Sequence, residues 1–543
     1  MAAAIQNIFV LMLENRSFDH MLGFSGLTGT DATSGNPTAI AGLTTLSLVQ
    51  LADALGVGTA SGIVERKGLS WPPPASISVR DLFASNQYNG QTYRAGTPAE
   101  YAMTFDPVHE FPDVLTQLCG PQATYPPGGA YPPATNGGFV ASYAALDTQN
   151  PGNIMKCYSP SQLPVLNALC QAFAVCDGWH ASLPGPTWPN RFFSHAASSG
   201  GIDHSPSVSD IAAWDFLDGF GFANGTIFDR LNSNSISWRI YGGDDFPVVA
   251  ALKGIQLSDV RHYSNFSSDV AQAGYSVSYT FIEPDYESLS DYQCGTSQHP
   301  LDDVTRGEAL IKSFYEAVRN SPVWNQSLLI ITWDEHGGFF DHMPPPATVA
   351  PGDTSLDTGW NKSKFTFEQL GPRVPAVVIS PLIPGGLIDH RVYEHSSIPA
   401  TLEACFGLSP MTQRDAHANN LLSLVSLDQP REDTPATLPA PAPSGVTGCD
   451  PISFLVATPA ATPNVQPPPI TRPEDSIDEQ NVPGFLFSVM RADALLSGPA
   501  SAPAILARFN SIKTRADAAQ YVSEVQPRVS AARNALSTDG SGA

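Results

Sequence analysis

Short apolar runs that stop abruptly constrain this chain more than any other feature: IQNIFVLML at 5–13 and LLIITW at 328–333, with VPAVVIS at 374–380 of the same kind. Runs of this length without alternation suit strands buried on both faces, since a half-exposed strand would turn every second residue polar. Helical spacing follows at 162–174, 224–231, 304–319 and 396–406. Strands alternating with helices predict an α/β fold with a mostly parallel sheet covered on both faces. In such sheets ligands bind beyond the carboxyl ends of the strands, so the polar residues that end the runs are the first place to look for chemistry.

The first run delivers Glu14 and Asn15, followed by Arg16-Ser17-Phe18-Asp19-His20. A carboxylate beside an amide oxygen offers two hard donors to a divalent cation. Equally, Asn15 or Ser17 could cap the next helix. The second run delivers Asp334 and Glu335, then His336-Gly337-Gly338-Phe339-Phe340-Asp341-His342. Adjacent carboxylates repel unless a cation or a proton separates them, and a metal is the simplest answer. An acidic surface turn anchored by Phe339 and Phe340 is the alternative.

A third motif, GPTWPNRFF at 185–193, carries prolines that stiffen the loop and permit a helix to begin near Pro189. Thr187 then stands at or near the helix start, where free N–H groups favour an anion. A hydroxyl there that touches a metal can lose its proton and attack phosphorus; read otherwise, it is a helix cap. His109 in DPVH and His299 in QHP sit in polar turns, fit either to serve a phosphoryl or leaving oxygen or to be ordinary loop histidines. Glu283-Pro284-Asp285-Tyr286 closes a further apolar stretch, YTFI, and either shapes the site or ends a strand.

Charge and composition narrow the partners. With 27 basic and 51 acidic side chains the net charge is −24, which excludes nucleic acid as the main partner, because phosphate-backbone binding needs clustered Lys and Arg. The same charge favours zwitterionic over anionic membrane surfaces in any peripheral contact. No run of about 18 apolar residues is present, so no transmembrane helix is expected. The start of the chain, Met1 to Leu13, lacks the basic residues of a secretory signal and reads as the first core strand. A cytoplasmic protein, export by another route, or a leader already trimmed all fit that reading.

Seven cysteines without a CxxC pattern read as buried free thiols rather than a disulfide framework. Residues 1–428 form the expected catalytic domain, with 24–100, rich in Gly, Ser, Thr and Ala, as an insertion over the sheet or a rim around the site. Twelve prolines between Pro430 and Pro473 predict an extended linker over 429–474. The remainder, 475–543, reads as a short helical tail docking on the main domain, with helices at 483–495 and 514–536, the second broken or kinked at Pro527.

Taken together, LMLENRSFDHMLG, DPVH, PGPTWPNRFF, QHP, WDEHGGFFDHMPPP and GPRVPAVVISPLI, in this order, resemble the bacterial phospholipase C and acid phosphatase phosphoesterases, with plant non-specific phospholipase C as a further relative. The resemblance spans about residues 5–410. It implies an alkaline-phosphatase-like three-layer sandwich and one divalent metal, Ca, Mg, Mn, Fe or Zn. By the same resemblance Glu14, Asn15, Asp334 and Glu335 hold the metal and Thr187 bridges it to phosphorus. His109 and His299 contact the phosphoryl group or leaving oxygen, and Asn190, Arg191, His336 and His342 are the expected substrate contacts. The implied activity is phospholipase C action on a phospholipid, with acid phosphatase action on small phosphate esters as the alternative, and a non-catalytic, metal-stabilised binding module as the second. Three features depart from the pattern: His336 stands where many bacterial members have Asn, the long carboxy-terminal extension domains of haemolytic-type members are missing, and the usual signal peptide is not visible.

Overall fold

Twelve strands are found in the computed structural model, which describes residues 5–43, 84–449, 452, 472–478 and 481–538. They are β1 (Asn7–Leu13), β2 (Thr28–Asp31), β3 (Pro37–Ala39), β4 (Ser85–Tyr88), β5 (Gln91–Arg94), β6 (Ala174–Cys176), β7 (Trp238–Gly242), β8 (Val260–His262), β9 (Tyr279–Glu283), β10 (Ser327–Trp333), β11 (Ala376–Ile379) and β12 (Leu387–Asp389). All but β4 and β5, which pair as a separate hairpin, form one sheet in the order β3-β2-β12-β6-β11-β10-β1-β9-β7-β8. The apolar runs fill its centre, where every residue of β1, β10 and β11 is buried. Most pairings are parallel, as expected for a three-layer α/β sandwich.

Register brings the strand ends together. β1 runs parallel to β10 with Leu13 opposite Trp333, so Glu14 and Asp334 leave the sheet side by side. β9 lies parallel on the other flank of β1 and delivers Glu283 to the same edge. β11 is antiparallel to both of its neighbours, so its carboxyl end points away from that edge and its entry, beside Arg373, lies near it. The third apolar run therefore meets that edge at its start and not at its end.

Several expectations need correction. Part of 24–100 is not an insertion over the sheet: β2 and β3 extend the sheet itself, because Thr30 and Ala32 donate to the carbonyls of Gly386 and Ile388 and complete the β12 ladder. Residues 44–83 of that segment, Trp71-Pro72-Pro73-Pro74 among them, lie outside the described residues. The first part of the proline-rich segment is held along the helix Val304–Arg319. Lys312 Nζ, Tyr315 Oη and Arg319 Nη2 donate to the carbonyls of Leu438, Pro435 and Thr434 at 2.6, 2.5 and 3.0 Å. An extended proline-rich chain makes no hydrogen bonds of its own, so a neighbouring helix with free donors can fix it. Most of 450–471 lies outside the described residues.

Cys294 and Cys449, separated by 155 residues, form a disulfide, and only Cys119, Cys157, Cys170, Cys176 and Cys405 are free thiols. Sequence spacing could not show this pair, because their 5.3 Å Cα separation is created by folding. In the tail, the helix Val482–Ser497 packs against the helix Arg515–Thr538. The latter runs through Pro527 without a break, and Tyr521, Val525 and Val529 are buried on its inner face. That burial, with Tyr521 Oη and Arg528 Nη1 donating to Asp493, offsets the backbone hydrogen bond that proline forfeits.

Candidate active site

At the carboxyl edge of β1 and β10, three carboxylates converge in a fully buried setting: Glu14, Asp334 and Glu335 are each 0% exposed. Asp334 is well partnered, for its Oδ1 accepts the N–H groups of Asn15 at 3.0 Å and Glu335 at 2.7 Å, and its Oδ2 accepts Arg191 Nε at 2.8 Å. Glu14 is less so, since neither of its oxygens makes a hydrogen bond of good geometry among the described residues, although the Ser297 hydroxyl is near enough to draw its pKa down, and Oε1 of Glu335 also lacks such a bond. Buried carboxylate oxygens without donors are costly, and they mark the place where a cation belongs. Burial first, and then the charge of Asp334, push Glu14 well above the ordinary carboxylate range. Burial followed by Glu335 pushes Asp334 up to about 7 against the pull of Arg191. An oxygen-only donor set of this kind fits a divalent metal.

Asn15 adopts the left-handed conformation at φ 56°, which Asn tolerates better than most side chains. That turn points its amide into the site. Asn15 Oδ1 accepts the hydroxyl of Thr187 at 3.2 Å, while its Nδ2 stands 3.1 Å from His109 Nε2. Close passage of the opposing loop depends on Gly337 at φ 61°, where a Cβ would come within 2.1 Å of the Asn15 carbonyl oxygen. Thr187 is the first residue of the helix Thr187–Ala196 and is 0% exposed.

The histidines divide by charge. His109 Nε2 lies 3.7 Å from Glu335 Oε1. Burial works against its protonation, yet Glu335 and Asp106 outweigh it and hold His109 up at about 9. His299 lies 3.5 Å from Asp106, and its ring stacks on Tyr292 with centroids 3.5 Å apart. Burial, reinforced by His109 and Arg16, pushes His299 well below its ordinary value, so it is neutral at physiological pH.

Four expected substrate contacts are used otherwise. Asn190 is spent on its own loop, accepting from Leu183 N and donating to the carbonyls of Gly185 and Pro186, and so shapes the approach to Thr187. Arg191 points inward, where Nη2 donates to the Leu13 carbonyl and Nε to Asp334, bracing the two strand ends. His336 stands behind the carboxylates, with Nε2 2.7 Å from Gln117 Oε1 and Nδ1 3.2 Å from Glu335 Oε2. His342 pairs with Asp19 at 2.7 Å in a separate cluster with Asp341. These three side chains are close enough together to hold an ion, but Arg373 already supplies the positive charge, donating to Asp341 Oδ1 at 2.9 Å and Asp19 Oδ1 at 3.1 Å. The strand-end motifs gave no sign of Tyr292 or of Asn481, whose Nδ2 lies 3.3 Å from Thr187 Oγ1.

Residues 5–409 match the model of the Phosphoesterase family. The chain belongs to that family. Among its curated relatives, non-specific phospholipase C6 of Arabidopsis thaliana is 35% identical over 459 residues, covering 82% of this chain and 76% of the relative. Non-specific phospholipase C3 of the same plant is 33% identical over 453 residues, covering 81% of this chain and 76% of its own length. Phospholipase C B of Mycobacterium tuberculosis is 26% identical over 499 residues, covering 82% and 84%. A solved phosphonate monoester hydrolase from Agrobacterium radiobacter aligns over 46% of this chain and 69% of its own at 11% identity, with a TM-score of 0.27. As a member of the phosphoesterase family the chain is a hydrolase acting on phosphoric ester bonds. Among the described residues no helix is long and apolar enough to cross a membrane.

Proposed function

We propose that this phosphoesterase is a phospholipase C that uses Thr187 as its nucleophile and depends on a divalent metal. The observation that carries the reading is the Thr187 hydroxyl, held at a helix start 3.2 Å from the Oδ1 of Asn15, the residue next to Glu14, whose buried oxygens make no hydrogen bond of good geometry. Glu14, Asn15, Asp334 and Glu335 would hold the ion with Thr187 beside them. Bound there, a divalent cation supplies positive charge to phosphoryl oxygens and lowers the pKa of a hydroxyl it touches.

The chain's own groups do the rest. Asn15 Oδ1 aims the Thr187 oxygen by accepting its hydrogen bond. The N–H groups at the start of the helix Thr187–Ala196 favour the negative charge that builds on phosphorus oxygens. As the Thr187 O–P bond forms, the P–O bond to the diacylglycerol oxygen breaks. The Thr187 proton passes to solvent water, and His109, once it has taken a proton at Nε2 in place of the hydrogen bond from the Asn15 amide, gives the departing oxygen that proton. Water then attacks the phosphothreonine, returns the threonine hydroxyl and releases the phosphorylated headgroup, while its second proton restores His109. The relatives named phospholipase C support a phospholipid as substrate.

Thr187→Ala with intact fold and metal content should lose turnover by about 10³-fold or more, and wild-type-like turnover would remove Thr187 from the mechanism. Comparing p-nitrophenyl phosphate with p-nitrophenyl phosphorylcholine decides the ester class. Preference for the diester, with diacylglycerol released from phosphatidylcholine, is the expected result; preference for the monoester would favour an acid phosphatase.

A further inference from the structure

Asn481 belongs to the tail, 294 positions beyond Thr187 in sequence, yet its side chain lies against the hydroxyl that the proposed function makes the nucleophile. It opens the helix Val482–Ser497, and the ordinary task of an Asn there is to cap that helix. This one does not, for its side chain makes no capping hydrogen bond. Instead Nδ2 lies 3.3 Å from Thr187 Oγ1 and 3.3 Å from Tyr292 Oη, and Oδ1 accepts Ser205 Oγ at 3.4 Å. Because the Thr187 hydroxyl donates to Asn15 Oδ1, the end of the Asn481 amide that faces the threonine is its nitrogen. Asn481 is 2% exposed, so the contact is made away from competing water.

The tail is built to keep it there. Gly484, one turn on, packs so tightly on Trp188 that a Cβ would stand 2.3 Å from the indole. Asp478 accepts the N–H of Val208 at 2.9 Å. Arg515 and Arg472 both reach Asp291, at 2.6 and 3.0 Å, and so grip the loop that carries Tyr292. Asp291 and Tyr292 sit in the left-handed region at φ 49° and 60°, a conformation that needs outside support in non-glycine residues.

Thr187 has one hydroxyl proton, and Asn15 Oδ1 receives it. The Asn481 N–H therefore points at a lone pair of the same oxygen. We propose that Asn481 is a catalytic residue delivered by the tail, its amide N–H stabilising the negative charge on the Thr187 oxygen during attack and on the phosphoryl oxygens next to it. A donor that is preorganised and shielded from water strengthens its interaction as charge develops, so its effect falls on kcat. This assignment rests on Thr187 as nucleophile.

The test uses the full chain, with p-nitrophenyl phosphorylcholine, p-nitrophenyl phosphate and phosphatidylcholine vesicles as substrates and metal content and melting temperature measured for every variant. Asn481→Ala should lower kcat about 10- to 100-fold with KM within about 3-fold of wild type and metal content unchanged. Asn481→Asp keeps the shape but turns an oxygen toward the developing anion, and should lose at least as much. If Thr187→Ala is inactive while Asn481→Ala retains kcat within about twofold of wild type, this assignment fails and the threonine reading stands. A kcat loss in Asn481→Ala that disappears under stabilising conditions, such as lower temperature, also overturns it, because the role would then be structural. If Thr187→Ala keeps wild-type turnover, the nucleophile reading fails and takes this assignment with it.

Discussion

Asn15 holds Thr187 and His109 at once, its amide oxygen 3.2 Å from the threonine hydroxyl and its amide nitrogen 3.1 Å from the imidazole. A residue that aligns nucleophile and acid should be costly to lose. Asn15→Ala is expected to lower kcat by about 10²- to 10³-fold in steady-state assays. Alanine at φ 56° also strains the backbone, so Asn15→Gly serves as the companion. Equal kcat loss in both variants shows that the amide, not the backbone, matters.

Removing divalent ions should destabilise the protein more at alkaline than at mildly acidic pH. Without a cation, the folded state raises Asp334 to about 7, and Glu14 well above its ordinary value, so both favour the protonated form. Stability tied to that protonation is fully present below the unfolded carboxylate value near 4 and is lost as pH rises through about 7. The melting temperature of chelated protein should therefore fall between about pH 4 and about pH 7, while that of metal-loaded protein changes much less. Parallel behaviour of the two forms would argue against a cation at Glu14.

Gly484 sets how closely the tail can approach the Thr187 helix. Gly484→Ala forces a methyl group into the Trp188 ring and should cost about 1–3 kcal/mol in denaturant unfolding. Because the shift moves Asn481 away from Thr187, kcat should fall as well. Stability and rate both at wild-type levels would mean that the tail yields without consequence.

The Cys294–Cys449 bond closes a loop of 155 residues and ties the Tyr292 loop to the segment leading into the tail. Replacing both cysteines by serine should lower unfolding free energy by about 2–4 kcal/mol, measured against wild type under non-reducing conditions. Reductant should destabilise the wild type by a similar amount and leave the double variant unchanged.

The strand-end half of the site was legible in the sequence because backbone geometry fixes it. A buried parallel strand must be apolar along its length, and Glu14-Asn15 and Asp334-Glu335 stand where two such runs end, so they could be located before any coordinates. Thr187 was legible for a similar local reason, since prolines on either side stiffen the chain into a helix start. The direction of a side chain was not legible. Nothing in PNRFF says that Asn190 folds back on its own loop or that Arg191 turns inward to brace Asp334. Those outcomes follow from which neighbours leave carbonyls and carboxylates unpaired, a property of the packed molecule.

Tertiary structure alone decided the other half. Asn481 sits in a tail with no motif around it, the Cys294–Cys449 bond joins residues without telling spacing, and the antiparallel setting of β11 leaves no mark in its composition. Local sequence determines what a short segment can become, because periodicity, proline and burial act over a few residues. Which distant segments meet is determined by the packing of the whole chain, and it is this packing that brings a tail amide to a buried hydroxyl.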